Sequence, residues 1–184
     1  MLYIVKYEGP FAFIKPWTAV RDKETFSQQF LTPSTIEGMR QKLEVEKILR
    51  HKLTYEAMSR LKEVTHTKGI KIKKKEKIIS RPTAVLDRIV LLEPTLFLAF
   101  ESLEDAQKAS NQHLCLCRNE DVVLPNATVV EMTEEAFDQL DGFELRFGQS
   151  EQSFLVGYNR FEQNQAMYGW LEVSDNPLKN NEAI

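Results

Sequence analysis

The sequence predicts an α+β fold, and three observations carry that expectation. Alternating runs rich in aromatic and β-branched residues, LYIVKY at 2–7, TAVLDRIVLLE at 83–93 and TLFLAFE at 95–101, read as strands. Two capping-box spacings, Ser34 with Glu37 and Ser102 with Asp105, each open a helical pattern. With HLCLCR at 113–118 as a further strand, the order becomes strand, helix, strand, strand, helix, strand.

The first strand, 2–7, is stopped by Gly9-Pro10. Residues 8–32 show neither helical nor strand periodicity and carry Phe11, Phe13, Trp17, Phe26 and Phe30, which implies a long ordered loop. The helix opened by Ser34 places Ile36, Met39, Leu43 and Ile48 at helical intervals and is expected to run to about His51. Residues 52–66 keep a helical composition, with Leu53, Met58 and Leu61 apolar, and are expected to form a second helical piece or a continuation. The next segment, TKGIKIKKKEKIISRP, alternates isoleucine with lysine around three lysines, which suits a protruding two-stranded finger with its tip near 73–76.

The strands at 83–93 and 95–101 meet tightly at Glu93-Pro94, and a helix follows at about 102–111. Up to residue 125 this is a ferredoxin-like (RRM-like) βαββαβ unit, whose four-stranded sheet has a free face widely used for single-stranded RNA. Residues 126–184 hold a short helix at TEEAFDQL and strands at FELRF, SFLVGYNRF and MYGWLEV, read as a small β-rich extension packed on the same core. The final residues NPLKNNEAI are polar and expected to fray.

A chain of 184 residues, 42% hydrophobic and 28% charged, can bury a sizeable core. No stretch approaches the roughly 18 apolar residues of a membrane span, and MLYIVKYEGP lacks a basic region followed by a long apolar run. The expected address is cytoplasmic, with no membrane partner. Cys115 and Cys117 alternate within an apolar run, exclude a disulfide framework, lack zinc-like spacing and read as core or sheet residues facing one side.

The net charge of −3 conceals an asymmetry. Residues 1–92 hold 19 Lys/Arg and 10 Asp/Glu, or +9, while residues 93–184 hold 5 and 17, or −12. One face is expected to meet a polyanion and another to meet solvent or a protein neighbour, unless the halves interleave in space.

The strongest signal for function lies between Lys68 and Arg81, where Lys68, Lys71, Lys73, Lys74, Lys75, Lys77 and Arg81 stand against one acid, Glu76. Such a finger attracts phosphates with a salt-dependent affinity. Lysines also protect sheet edges from aggregation, but one or two suffice for that. Lys15, Trp17 and Arg21 form a second, weaker candidate, in which Trp and Arg stack on unpaired bases while cations hold the backbone; Trp17 as a core plug is the competing reading.

Catalytic alternatives have less support. No G-x-S-x-G, no recognised Cys/His spacing and no phosphate-cradling glycine motif occurs, the seven glycines being scattered singly. A metal-independent ribonuclease needs only a base, an acid and a cation, which His51, Tyr55, His66 and Lys68 are able to supply. No catalytic residue, metal or cofactor is assigned on this evidence.

Three segments together resemble the CRISPR-associated RAMP superfamily, in particular the subunit that caps the 5′ handle of the guide RNA in multisubunit effectors. FLTPSTIEGMRQKL at 30–43 is similar to its Pro-Thr-Pro-Ser-x-x-x-Gly-hydrophobic helix start, SRPTAVLDRIVLLEP at 80–94 to its entry into the second strand, and HLCLCRNEDVVLP at 113–125 to its Leu-x-Leu-Gly-Arg segment. Cys117 stands where the family usually has glycine, and Leu31-Thr32 where it commonly has Phe/Pro-Thr. The resemblance implies a ferredoxin-like domain with a β-hairpin thumb, here the finger at about 68–81, that bends or separates guide nucleotides while the domain body grips the 5′ handle.

It further implies a non-catalytic subunit in antiviral or anti-plasmid defence. Its partners are guide RNA, a repeated backbone subunit and a large subunit, with target nucleic acid met indirectly. Arg118, which matches the family's arginine, is implied as a handle contact or a structural tie near it, and Arg40 on the first helix is counted with the RNA-binding set. Some relatives cleave precursor guide RNA with a Tyr, His and Lys set that Tyr55, His66 and Lys68 do not clearly match. A precursor-processing endoribonuclease and a generic single-strand RNA-binding module remain the alternatives.

Overall fold

Strand β1 (Leu2–Glu8) alternates as its sequence demands, Val5 and Tyr7 facing one side and Leu2 and Ile4 the other, all buried. The computed structural model describes residues 1–16, 23–66, 69–73, 78–159 and 163–175. After β1 come β2 (Phe11–Ala12), β3 (Glu24–Phe26), α1 (Pro33–Leu43), β4 (Arg50–Thr54), β5 (Ala57–His66), β6 (Lys71–Lys73), β7 (Ile78–Ser80) and β8 (Thr83–Leu92). They are followed by β9 (Thr95–Phe100), α2 (Leu103–Ser110), β10 (Leu114–Cys115), β11 (Val122–Pro125), β12 (Val130–Met132) and α3 (Glu134–Asp138). The last three are β13 (Gly142–Phe147), β14 (Phe154–Asn159) and β15 (Gln165–Ser174).

The architecture is α+β, with a mostly antiparallel main sheet in the order β10-β11-β1-β9-β4-β13-β15-β14 and with β12 also on β1. Helices α1 and α2 cover one face, where Met39, Leu43, Ala106 and Ala109 close over Val5, Leu53, Leu96, Leu98 and Phe100. Each large aliphatic side chain removed from water there contributes about 1.5–3 kcal/mol. The Tyr7 hydroxyl donates to the Ala109 carbonyl at 2.8 Å, so the polar tip of this buried ring is satisfied against α2. Helix α3 covers the opposite face, with Phe137 packed among Leu2, Ile4 and Ala99.

Several sequence expectations need correction. The cap of α1 is Thr32, whose hydroxyl accepts from the Thr35 amide, while Glu37 turns to Arg40 instead of completing a box with Ser34. The helix stops at Leu43 because Glu44 turns left-handed (φ 56°, ψ 38°) and returns its amide to Arg40 and Gln41, so Ile48 enters the core from extended chain. Residues 57–66 are a strand, not a helix: all ten pair with β8, from Ala57↔Leu92 to His66↔Thr83, and long-range pairing outweighs a helical composition. The loop at 8–32 contains β2 and β3, both held on β8.

HLCLCR forms a strand only at Leu114 and Cys115. Cys115 and Cys117 do face one side, but that side is solvent, since the buried residues of the alternation are Leu114 and Leu116. Ser102 caps α2 as expected by accepting from the Asp105 amide, though the Asp105 carboxylate turns to the Glu46 amide, and the short helix followed by strands after residue 133 is as expected. Among the described residues, no helix is long and apolar enough to cross a membrane.

Candidate nucleic-acid interface

Between β4 and β9 the chain leaves the main sheet and returns as a ribbon. β5 takes one edge of β8 for its whole length, and β2 and β3 occupy the other edge only at residues 91–92 and 87–89. Among the described residues the ribbon is two-stranded from Leu86 outward, and β6 and β7 follow as a further strand pair with Lys71↔Ser80, Ile72↔Ile79 and Lys73↔Ile78. The described residues of the basic finger read from the sequence therefore lie on the outer part of the excursion between Ala57 and Leu92.

Charge is partitioned along this ribbon. Near its root, Arg60 donates to Glu24 at 2.6 Å, Arg88 donates to Glu63 at 3.1 Å, and Lys62 sits in register with Asp87. Opposite charges alternate there, so the root attracts a polyanion weakly, whereas residues 68–81 carry seven cations and one acid.

The expected site residues separate into three groups. Lys15 and Arg81 are exposed, and Lys71 and Lys73 belong to β6; Trp17, Arg21, Lys68, Lys74, Lys75 and Lys77 lie outside the described residues. Arg40 is engaged at the end of α1, giving two 2.8 Å bonds to Glu37 and one of 3.0 Å to the Val45 carbonyl. Those bonds, Arg40 first, hold the Glu37 carboxyl down at about 2. Arg118 is engaged as well. Its guanidinium makes paired bonds of 2.8 and 2.7 Å to the fully buried Asp121, which also accepts the Phe13 amide at 3.1 Å and the Arg118 amide at 2.9 Å. The arrangement makes Arg118 a tie within the fold.

The sheet face expected to be free for single-stranded RNA is covered by α3 over Leu2, Ile4 and Ala99, while Lys6 and Glu8 of β1 stay partly exposed on it. Beside α3, Arg50 forms paired bonds of 2.9 and 2.6 Å to Glu144 and lies 4.6 Å from the centre of the Phe137 ring. Lys52, fully buried, donates to the carbonyls of Asp138 and Leu140 and to the Ser174 hydroxyl at 2.8, 2.6 and 2.8 Å. These bonds satisfy the C-terminal end of α3 and fix it on the sheet. Sequence reasoning missed this cluster; the available signal was Arg50-His51-Lys52, three titratable residues in succession within a strand.

The residues offered for cleavage chemistry are not brought together. His51 is buried, accepts the Leu145 amide at 3.5 Å and has its pKa driven down to about 3 by burial and then by Arg50. Tyr55 is buried, and its hydroxyl accepts from Gln29 at 2.6 Å. His66 ends β5, ~30 Å from the strand's first residue, Ala57, at the usual strand rise, and Tyr55 precedes that residue. Among the described residues, no group of three or more His, Cys, Asp or Glu side chains is arranged to hold a metal ion.

No family model matches the sequence, and none of the curated proteins matches it. Among solved structures, a chain described as "Crystal structure of Cas protein" covers 100% of both chains at 16% identity and a TM-score of 0.45. Another, described as "CRISPR RNA-guided surveillance complex", covers 95% of this chain and 90% of its own length at 12% identity and a TM-score of 0.52. The resemblance to CRISPR-associated proteins is thus borne out at the level of fold: the chain shares, over nearly its whole length, the fold of a CRISPR surveillance-complex chain.

Proposed function

We propose that the chain is a non-catalytic, RNA-binding subunit of a CRISPR effector ribonucleoprotein that holds the 5′ handle of the guide RNA. The observation that carries this reading is the two-stranded ribbon projecting between β4 and β9 with seven of its cations at 68–81. A basic arm beyond the reach of the core gathers phosphates without contributing to packing, and its affinity is salt-dependent. The antiparallel order β11-β1-β9-β4, with α1 and α2 on one face, supports a ferredoxin-like unit at 1–125 with the ribbon inserted in its central hairpin. Residues 126–184 then form an extension that continues the sheet from β4 through β13.

With α3 over the far face and Arg118 tied to Asp121, the RNA path in this reading runs along the outer ribbon and the exposed Lys15 and Arg81. The acidic second half serves contacts with neighbouring subunits in a cytoplasmic particle, and the chain contacts target nucleic acid only through the guide.

The test is to purify the tagged protein from its native host and sequence the RNA that accompanies it. Short RNAs sharing one 5′ end, recovered with other protein subunits, are the expected result. RNA of mixed sequence without a common end would replace this reading with a general single-strand binder.

A further inference from the structure

The root of the ribbon meets the body at one ring. Phe13, buried in the segment after β2, has two guanidinium groups within cation–π reach, Arg88 of β8 at 5.6 Å and Arg118 of the β10–β11 turn at 5.4 Å from the ring centre. Glu63 of β5 links the same two arginines, accepting from Arg88 at 3.1 Å and standing 3.9 Å from Arg118. Arg88 also donates to Thr25 of β3 at 2.9 Å, and Arg118 is held by Asp121.

The position of this cluster matters mechanically. Third-strand support from β3 spans residues 87–89 of β8 and ends at the rung Lys62↔Asp87, so Arg88 lies just inside the supported stretch and Glu63, paired with Leu86, one residue beyond it. Beyond it lies an isolated two-stranded ribbon, a form that is marginal alone and free to twist. Among the side chains that oppose swinging of the ribbon, beside the Arg60–Glu24 pair, are Glu63 and Arg88 on the ribbon, with Arg118, Asp121 and Phe13 on the body. The two arginines retain only 16% and 18% of their side-chain exposure, so their bonds are screened less than those of a surface pair.

We propose that Glu63 is a positioning residue: by bridging Arg88 and Arg118 across the Phe13 ring it fixes the angle of the ribbon on the body and so sets where the basic tip meets its ligand. The bridge acts on the ribbon itself, and its consequence for RNA rests on the reading above. Removing the charge at Glu63 leaves both arginines beside the Phe13 ring but releases the ion pair from β5 to the β10–β11 turn.

The experiment separates the two claims. In full-length protein carrying Cys115→Ser and Cys117→Ser, spin labels are placed at Thr83→Cys on the ribbon and Gln107→Cys on α2, both exposed, and the distance between them is measured. The expected result is one narrow distribution for Glu63, a broad one for Glu63→Gln and recovery of the narrow one for Glu63→Asp, with thermal melts and far-ultraviolet spectra alike. A distribution unchanged in Glu63→Gln overturns the proposal.

Binding of unlabelled proteins to a single-stranded RNA bearing the recovered 5′ end is measured in parallel. If the correctly aimed fraction falls to a third, the apparent affinity falls about threefold. Broadening with unchanged affinity overturns the link between aim and ligand, whereas broadening in a protein whose wild type binds no RNA leaves the positioning role standing and removes the RNA reading.

Discussion

Arg50 on β4 and Glu144 on β13 face each other in paired hydrogen bonds of 2.9 and 2.6 Å, and both side chains are buried. The backbone register between these strands holds at Phe143↔Leu53, so the side-chain pair clamps the extension to the first sheet where the ladder is sparse. Desolvating two charges is costly, and such a pair need not stabilise the fold relative to an apolar one. Breaking it is another matter.

Glu144→Ala leaves the Arg50 guanidinium with Asp138 at 2.7 Å and the Phe137 ring at 4.6 Å, and it is expected to destabilise the protein by about 3 kcal/mol or more. Arg50→Met combined with Glu144→Leu is expected to recover most of that loss. Urea unfolding of the three proteins checks both statements, and a loss below about 1 kcal/mol in Glu144→Ala would show that the clamp matters little.

His51 predicts how stability responds to pH. Its pKa falls from 6.5 to about 3 in the folded protein, so between these values the unfolded chain binds the additional proton. Stability from this group is fully present above pH 6.5 and is lost as pH falls toward 3, by at most about 1.4 kcal/mol per pH unit. Glu37 and Asp138, lowered by bonds from Arg40 and Arg50, add their own losses only at more acid pH. His51→Gln is therefore expected to flatten the decline in urea midpoint between about pH 6.5 and 4.5; an equally steep decline in the variant would assign it to other groups.

Gly169 on β15 illustrates a steric requirement. A Cβ there would stand 2.3 Å from the Arg146 carbonyl oxygen and 3.3 Å from a Val156 methyl, and the oxygen belongs to the adjoining strand. Gly169→Ala is expected to cost roughly 1–3 kcal/mol by forcing β13 from β15. Gly38, with open space around its Cβ position on α1, is the control: Gly38→Ala is expected to stabilise by up to about 1 kcal/mol. Equal melting temperatures for the two variants would contradict this account.

What could be read from the sequence follows the range of each interaction. β1, β8, β9 and α2 were legible because alternation and a capping box are local patterns. β5 was not: residues 52–66 have a helical composition, and only the partner strand from Leu92 back to Thr83 decides otherwise. The covered sheet face was hidden for the same reason, because Lys52 and Ser174 meet across 122 positions. Lys73 was legible as part of a basic run, but whether Arg118 offers its charge outward depends on Asp121 folding beneath it.

The basic tip makes a quantitative prediction. Each phosphate neutralised on a single strand contributes about 0.7 to the slope of log affinity against log salt, because binding releases condensed counterions. Replacing Lys73, Lys74 and Lys75 together with alanine should therefore reduce the slope by about 2 if each meets one phosphate. Replacing Arg118 with glutamine should leave the slope almost unchanged, since Asp121 already holds that charge in two bonds. Filter binding of single-stranded RNA across a salt series distinguishes the two. A slope that falls with Arg118→Gln but not with the triple variant would move the RNA from the ribbon to the body.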